Sequence, residues 1–298
     1  MCVLLTILPL NGIQYPVTMI SIGLDIGTAF VKCVTDTKKV KFPSLYAYKL
    51  VHEWDKKGKL VEGVGEEAVK LSQDPDTILI KPVMLGRPVH EEAFAKLVRH
   101  AVTLSSENRD AIGSKPDDMA FAIGLPYDAA AHRGTIQKMI ARLYRPKASD
   151  VVPQVLGTLV DAEKSSGIVM SIGQGTTEIV AFVNNKAIRG ISVHHAVGYI
   201  SSRLGSEMAY LDDTVYENPK TGQLVAMLAD LLLNKLSIIR QDLEKLPVIV
   251  LGGGILVPGM QEVVRTKLDG IIIPQDPVMS NAQGLYKIAS WYGTQEIC

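Results

Sequence analysis

The sequence predicts an α/β protein of two domains. Three observations carry this expectation: amphipathic helical patterns lead into apolar strand-like runs, a hairpin with a glycine-bearing tip occurs in each half of the chain, and an apolar run, Val248-Ile249-Val250-Leu251, passes directly into three glycines. A chain of 298 residues sits near the upper size of a single hydrophobic core, so two domains of roughly 100 to 150 residues are expected. Hydrophobic residues at 47% and charged residues at 21% exclude a disordered or fibrous chain. With 31 basic and 31 acidic residues, net charge gives no sign of nucleic acid or an anionic membrane as an obligate partner, although a local basic patch stays open.

Taken in order, the opening MCVLLTILPLNGIQYPV is apolar but too short to span a bilayer, and it lacks the Lys or Arg of a secretory leader. Residues 1–18 therefore read as an extension outside the fold, with Met19 an alternative start and a weak signal or anchor the competing reading. No direct membrane span is expected. Residues 19–43 read as β-rich runs joined by turns at 25–29 and 36–39. The stretch 44–80 is mixed and more polar, with a turn at 55–59 and a short helix at 66–72, and reads as a peripheral insertion. A helix over 91–103 places Phe94, Leu97, Val98 and Ala101 on one face; a buried strand follows at 119–125, then a helix carrying Ile136, Met139, Ile140 and Leu143. A strand at 150–153, a helix at 154–164 and a second hairpin at 167–183 with 186–194 come next. Helices at 196–204 and 222–243, the strand 248–251, a helix after Pro258, a short strand at 271–273 and a last helix at 281–292 complete the pattern. No low-complexity linker divides the halves, so packed crossing segments must join them, 154–164 being the natural first.

The glycine-bearing tips are where chemistry is expected. In Ile22-Gly23-Leu24-Asp25-Ile26-Gly27-Thr28-Ala29, Gly27 lets backbone N–H groups approach an anion, Thr28 adds a hydroxyl, and successive turn amides form an anion-binding concavity. Asp25 at a strand end suits Mg²⁺ held through its water shell, and Lys32 suits a β or γ phosphate. The plain alternative is a tight hairpin with an Asp cap. The second copy, Met170-Ser171-Ile172-Gly173-Gln174-Gly175-Thr176-Thr177-Glu178, repeats the design, and two such tips facing each other would clamp a polyphosphate from both sides. The third element, Gly252-Gly253-Gly254, lets backbone lie flat against a planar ligand at a strand end, or merely lets the next helix pack. It is neither a Walker A loop nor GxGxxG.

In this order the three elements resemble the two phosphate loops and the adenosine loop of the actin, heat-shock chaperone and sugar-kinase superfamily, over about 19–292. The run from Gln154 through Ser165-Ser166-Gly167-Ile168-Val169-Met170 to Gly175 is similar to actin, and Asn281-Ala282-Gln283-Gly284-Leu285 resembles the superfamily's second connecting helix. The resemblance implies two actin-like (ribonuclease H-like) domains around a nucleotide cleft: 19–165 with an insertion near 44–80, then 166–280, then 281–298 as a helix returning to the first. It implies ATP or GTP with Mg²⁺ as cofactor. The implied binding positions are Gly27, Thr28, Lys32, Gly173, Gln174, Gly175, Thr176, Thr177, Glu178 and Gly252 to Gly254. Asp25 serves the metal, and Gln154 stands where actins keep the glutamine that orients the attacking water. Phe42-Pro43-Ser44 after the short hairpin, together with the compact length, resembles plasmid-segregating ParM-type actins and archaeal relatives.

One position departs. Ser171 stands where the superfamily usually has an aspartate that helps organise Mg²⁺-bound water, while Glu178 fills the later acidic position of the motif. Three functions follow: a filament-forming ATPase that associates head to tail with itself, with a DNA adaptor or division protein as partner; a non-polymerising adaptor that binds nucleotide without turnover, which Ser171 favours; and a small-molecule kinase, for which no substrate insertion is evident. Cys2, Cys33 and Cys298 form neither a disulfide framework nor zinc spacing, which fits the cytoplasm. His194 and His195 lack a third ligand at a telling spacing, and no nucleic-acid-binding signature is present.

Overall fold

The computed structural model describes residues 19–52, 58–105, 119–206 and 216–294. The extension 1–18 and positions 55–57 of the turn expected at 55–59 lie outside these. The first lobe opens with β1 (Ile20–Ile26), β2 (Phe30–Val34) and β3 (Lys39–Pro43), an antiparallel meander. An inserted unit follows: β4 (Tyr46–Val51), β5 (Lys59–Val64), α1 (Glu66–Leu71) and β6 (Ile78–Ile80). The hairpin β7 (Val83–Met84) and β8 (Arg87–Pro88) leads to α2 (Glu91–Ser105), β9 (Met119–Leu125), α3 (Arg133–Tyr144), β10 (Ala148–Pro153) and α4 (Gln154–Asp161). The second lobe holds β11 (Gly167–Ile172), β12 (Thr177–Val183), β13 (Lys186–Val193), α5 (Val197–Arg203), α6 (Thr221–Arg240), β14 (Val248–Leu251) and α7 (Met260–Lys267), after which α8 (Ser280–Thr294) returns to pack on β1 and β9 of the first lobe and against α4.

The two main sheets share one plan. The first runs β10-β9-β1-β2-β3 and the second β13-β12-β11-β14, and each joins an antiparallel meander to parallel strands on its far side. In the second sheet the outermost parallel position shrinks to a single bridge between Ile249 and Ile272. The strand expected at 271–273 is thus one bridging residue, tied by two backbone bonds to Val248 and Val250; Pro274 follows at once and lacks the N–H that would extend it.

Side chains alternate between the faces of a strand, and this divides the core into three. Ile22, Leu24, Phe121 and Ile123 pack with Phe94, Leu97, Val98 and Ile140 on the outer face of the first sheet. Ile168, Met170 and Ile172 pack with Leu228, Leu232 and Ile255 on the outer face of the second. Between the sheets, Ala122, Val169, Val180 and Ile249 meet Val155 and Leu159 of α4 and Leu285 of α8. Asp25 and Ser171 occupy the odd, inward positions of β1 and β11, so both face the space between the lobes. The insertion is more regular than its polar sequence suggests, an antiparallel sheet β5-β4-β6 with Leu45, Ala47 and Ala68 as its core. α6 is long and apolar enough to cross a membrane, yet it commits Val225, Leu228, Ala229, Leu232, Leu236 and Ile239 to the second lobe's core.

Candidate functional site

The two glycine tips and the triple glycine converge on one cavity of about 490 Å³ between the lobes. Each tip closes the same way: the Gly27 N–H donates to the Phe30 carbonyl and the Gly173 N–H to the Thr176 carbonyl, both at 3.0 Å. The first tip is braced by the Ser44 hydroxyl donating to the Gly27 carbonyl (2.7 Å) and by the Gly86 N–H donating to Thr28 Oγ1 (3.0 Å). The second is held by the start of α5, where the Val197 and Gly198 N–H groups donate to the Gly173 and Gln174 carbonyls (3.1 and 2.8 Å). Gln174 lines the cavity but turns its amide toward the Ser201 hydroxyl (3.3 Å).

The tips touch across the cleft. A Cβ placed on Gly175 would lie 2.6 Å from Thr28 Oγ1, so only glycine fits there. Cβ atoms on Gly252 and Gly254 would strike Ile172, at 2.3 Å from its carbonyl oxygen and 2.2 Å from its Cγ2, and Gly252 has a φ of +94°. Those two serve close packing, whereas Gly253 has nothing within 4 Å of its would-be Cβ and borders open space.

Register explains the polar walls. Asp25 lies opposite Lys32 across β1 and β2, and Ser171 lies opposite Glu178 across β11 and β12. Asp25 is 2% exposed and pairs with Lys32 at 2.8 Å. Ser171 is buried and lines the cavity, as does Gln154, the first residue of α4, which rests over Gly124 because a side chain there would meet it. Thr176 also lines the cavity. Thr177 and Glu178, also expected among the binding positions, are fully buried and are not among the residues that line it. The Thr177 hydroxyl donates to the His195 carbonyl (2.8 Å), and one Glu178 oxygen takes the Tyr127 N–H of the first lobe. Nothing partners the other, Oε2. Burial pushes the Glu178 carboxyl up to about 8; the Tyr127 amide and Gln154 oppose the rise, while the negative charges of Asp25 and Asp128 add to it.

His194 and His195 are exposed, and no group of three His, Cys, Asp or Glu suited to a metal occurs among the described residues. Sequence reasoning missed Phe30, Lys41, Pro277, Val278 and Asn281, which also line the cavity. Only Lys41 carried a signal, its place in the strand after Lys32, and that needed the turn length to be known.

No family profile matches the chain, and no curated protein matches it. Its structure is similar to that of MreB5 of Spiroplasma citri bound to AMPPNP, with a TM-score of 0.71 and 15% identity, over 93% of this chain and 98% of that one. It is similar to a MamK double helical filament, with a TM-score of 0.70 and 17% identity, over 91% and 99%. MreB5 bound to ADP gives a TM-score of 0.69 and 14% identity, over 93% and 98%. At such identities the likeness is one of fold, and the ParM-type likeness rests on the sequence features alone. The likeness of fold, over more than 90% of each chain, gives this chain the α/β fold of the actin-like ATPases.

Proposed function

We propose that this chain binds Mg-ATP between its lobes, hydrolyses it slowly and assembles head to tail into filaments, with a DNA adaptor or a division protein as its further partner. The observation that carries this is the meeting of two identically closed glycine tips, Gly27-Thr28 and Gly173 to Thr176, across a single cavity. MreB5 with AMPPNP and ADP supports an adenine nucleotide, and the MamK filament supports self-association through an interface that does not close on itself. Asp25, a buried carboxylate on the cavity wall, fits Mg²⁺, an ion that retains much of its water and takes carboxylate and phosphate oxygens. Phosphoryl transfer needs mainly positioning and charge neutralisation. Asp25, Lys32 and Gln154 fit that need, and Ser171 supplies no charge of its own. In calorimetry, Mg-ATP binding is expected in the wild type and lost in Gly27→Val and Gly175→Val; normal affinity in both variants would sink the cleft assignment.

The specific observation of Ser171 favours one rival, an adaptor that binds nucleotide without turnover. Phosphate release and sedimentation under Mg-ATP separate the two: slow release with a polymer pellet supports the filament ATPase, and binding without either supports the adaptor.

A further inference from the structure

We infer that Lys41, on the edge strand β3, is a phosphate-binding residue of the cleft and acts as a second cation beside Lys32. The inference rests on the nucleotide reading of the site. Asp25 faces Lys32 across β1 and β2, and Lys32 faces Lys41 across β2 and β3. One residue from each of three neighbouring strands thus forms a row on one face, with strands about 4.8 Å apart, and all three line the cavity.

The charges along this row do not balance. Asp25 and Lys32 satisfy each other at 2.8 Å, whereas among the described residues no carboxylate pairs with Lys41. Its ammonium lies 4.8 Å from the centroid of the Phe30 ring, at the wall of the same cavity. An aromatic face attracts a cation and narrows where it goes, so Lys41 is held at the cleft. Like charges directly opposite on adjacent strands are unfavourable, and an anion lying over both would reverse that cost. The matching row of the second lobe, Ser171, Glu178 and Ser192, holds no cation. Lys32 and Lys41 are therefore the only lysine or arginine side chains among the described residues lining the cleft. Were Asp25 to hold a metal ion, Lys32 would give up that partner, and both ammonium groups would be left to the phosphates.

The test uses the full chain. Lys41→Met keeps the stem over Phe30 and removes the charge; Lys41→Arg keeps the charge. With Mg-ATP titrated by calorimetry at low and moderate salt, Lys41→Met should weaken binding about three- to tenfold, the loss should shrink as salt rises, and Lys41→Arg should bind within about twofold of wild type. Unchanged affinity in Lys41→Met overturns the inference while leaving the cleft reading intact. Equal weakening in both variants overturns it too, because charge would then not be what acts. A wild type that binds no Mg-ATP overturns the cleft reading itself, and the inference with it.

Discussion

Glu178 spends its one strong hydrogen bond on the far lobe. Its carboxyl bonds to the Tyr127 amide, its second oxygen has no partner, and its pKa is raised to about 8 from an ordinary 4.5. Because the folded protein favours the neutral acid, it holds a proton that the unfolded chain releases near its ordinary value. This contribution is fully present below that value and is lost as pH rises from there through about 8. Glu178→Gln copies the neutral acid, so melting temperatures measured between about pH 6 and pH 9 should fall more steeply for wild type than for the variant. Parallel curves would show that the carboxyl is not the titrating group. Ser171 sits directly opposite this acid, which sharpens the expectation for Ser171→Asp. A carboxylate there would order metal-bound water but also push Glu178 further toward its neutral form. Preorganised polar groups at such sites are commonly worth about 10² to 10³ in rate. Phosphate release under saturating Mg-ATP should rise toward the lower end of that range in Ser171→Asp and fall in Gln154→Ala. A wild type as fast as Ser171→Asp, with Gln154→Ala unimpaired, would remove both positions from the reaction.

Where α4 and α8 cross, the fold leaves no room for side chains. A Cβ on Gly284 would lie 1.6 Å from the Gly157 carbonyl oxygen and one on Gly157 would lie 2.2 Å from that of Asn281; where α8 lies on β1, one on Gly23 would lie 2.1 Å from the Tyr286 nitrogen. The crossing is pinned by the buried Thr158 hydroxyl donating to Asn281 Oδ1 (2.7 Å) and by Ser280 and Lys287 on Asp161 (both 2.9 Å). Gly157→Ala and Gly284→Ala should each cost about 3 kcal/mol or more, read as a lowered midpoint in urea unfolding; a midpoint within error of wild type would mean the helices part easily. Much of this level was legible in advance. The strands at 119–125 and 248–251 stand out because apolar runs end in proline or glycine, and α2 and α3 because their apolar positions recur at helical spacing. The insertion strands were not: Lys49, Leu50 and Val51 interrupt alternation in β4, and its cross-strand partners β5 and β6 supply what local pattern lacks. Within the site, glycines and hydroxyls announced the tips, but the burial of Glu178 under the Tyr127 amide and the approach of Lys41 depend on register and on the other lobe's backbone.

At the scale of the whole molecule, one sheet plan used twice aligns Asp25 with Ser171 and Lys32 with Glu178, and of these four only Asp25, Lys32 and Ser171 line the common space. A ligand held by both lobes stabilises the molecule as a unit. At a hundred times the dissociation constant, Mg-ATP should add about 2.7 kcal/mol and raise the melting temperature by roughly 4 to 5 °C in a single transition. No such shift is expected in Gly175→Val, and a shift as large there would mean that the ligand sits elsewhere. The contact between Thr28 and Gly175 also bears on time. If the cleft holds the nucleotide proposed for it, then with the two tips already in touch the lobes would have to breathe apart before a spent nucleotide left and a fresh one entered, and the dwell of the bound molecule would follow the frequency of that opening. Subunits restrained by neighbours in a polymer would open seldom and keep what they hold, while free subunits would trade theirs, and the age of each subunit would be written in its nucleotide.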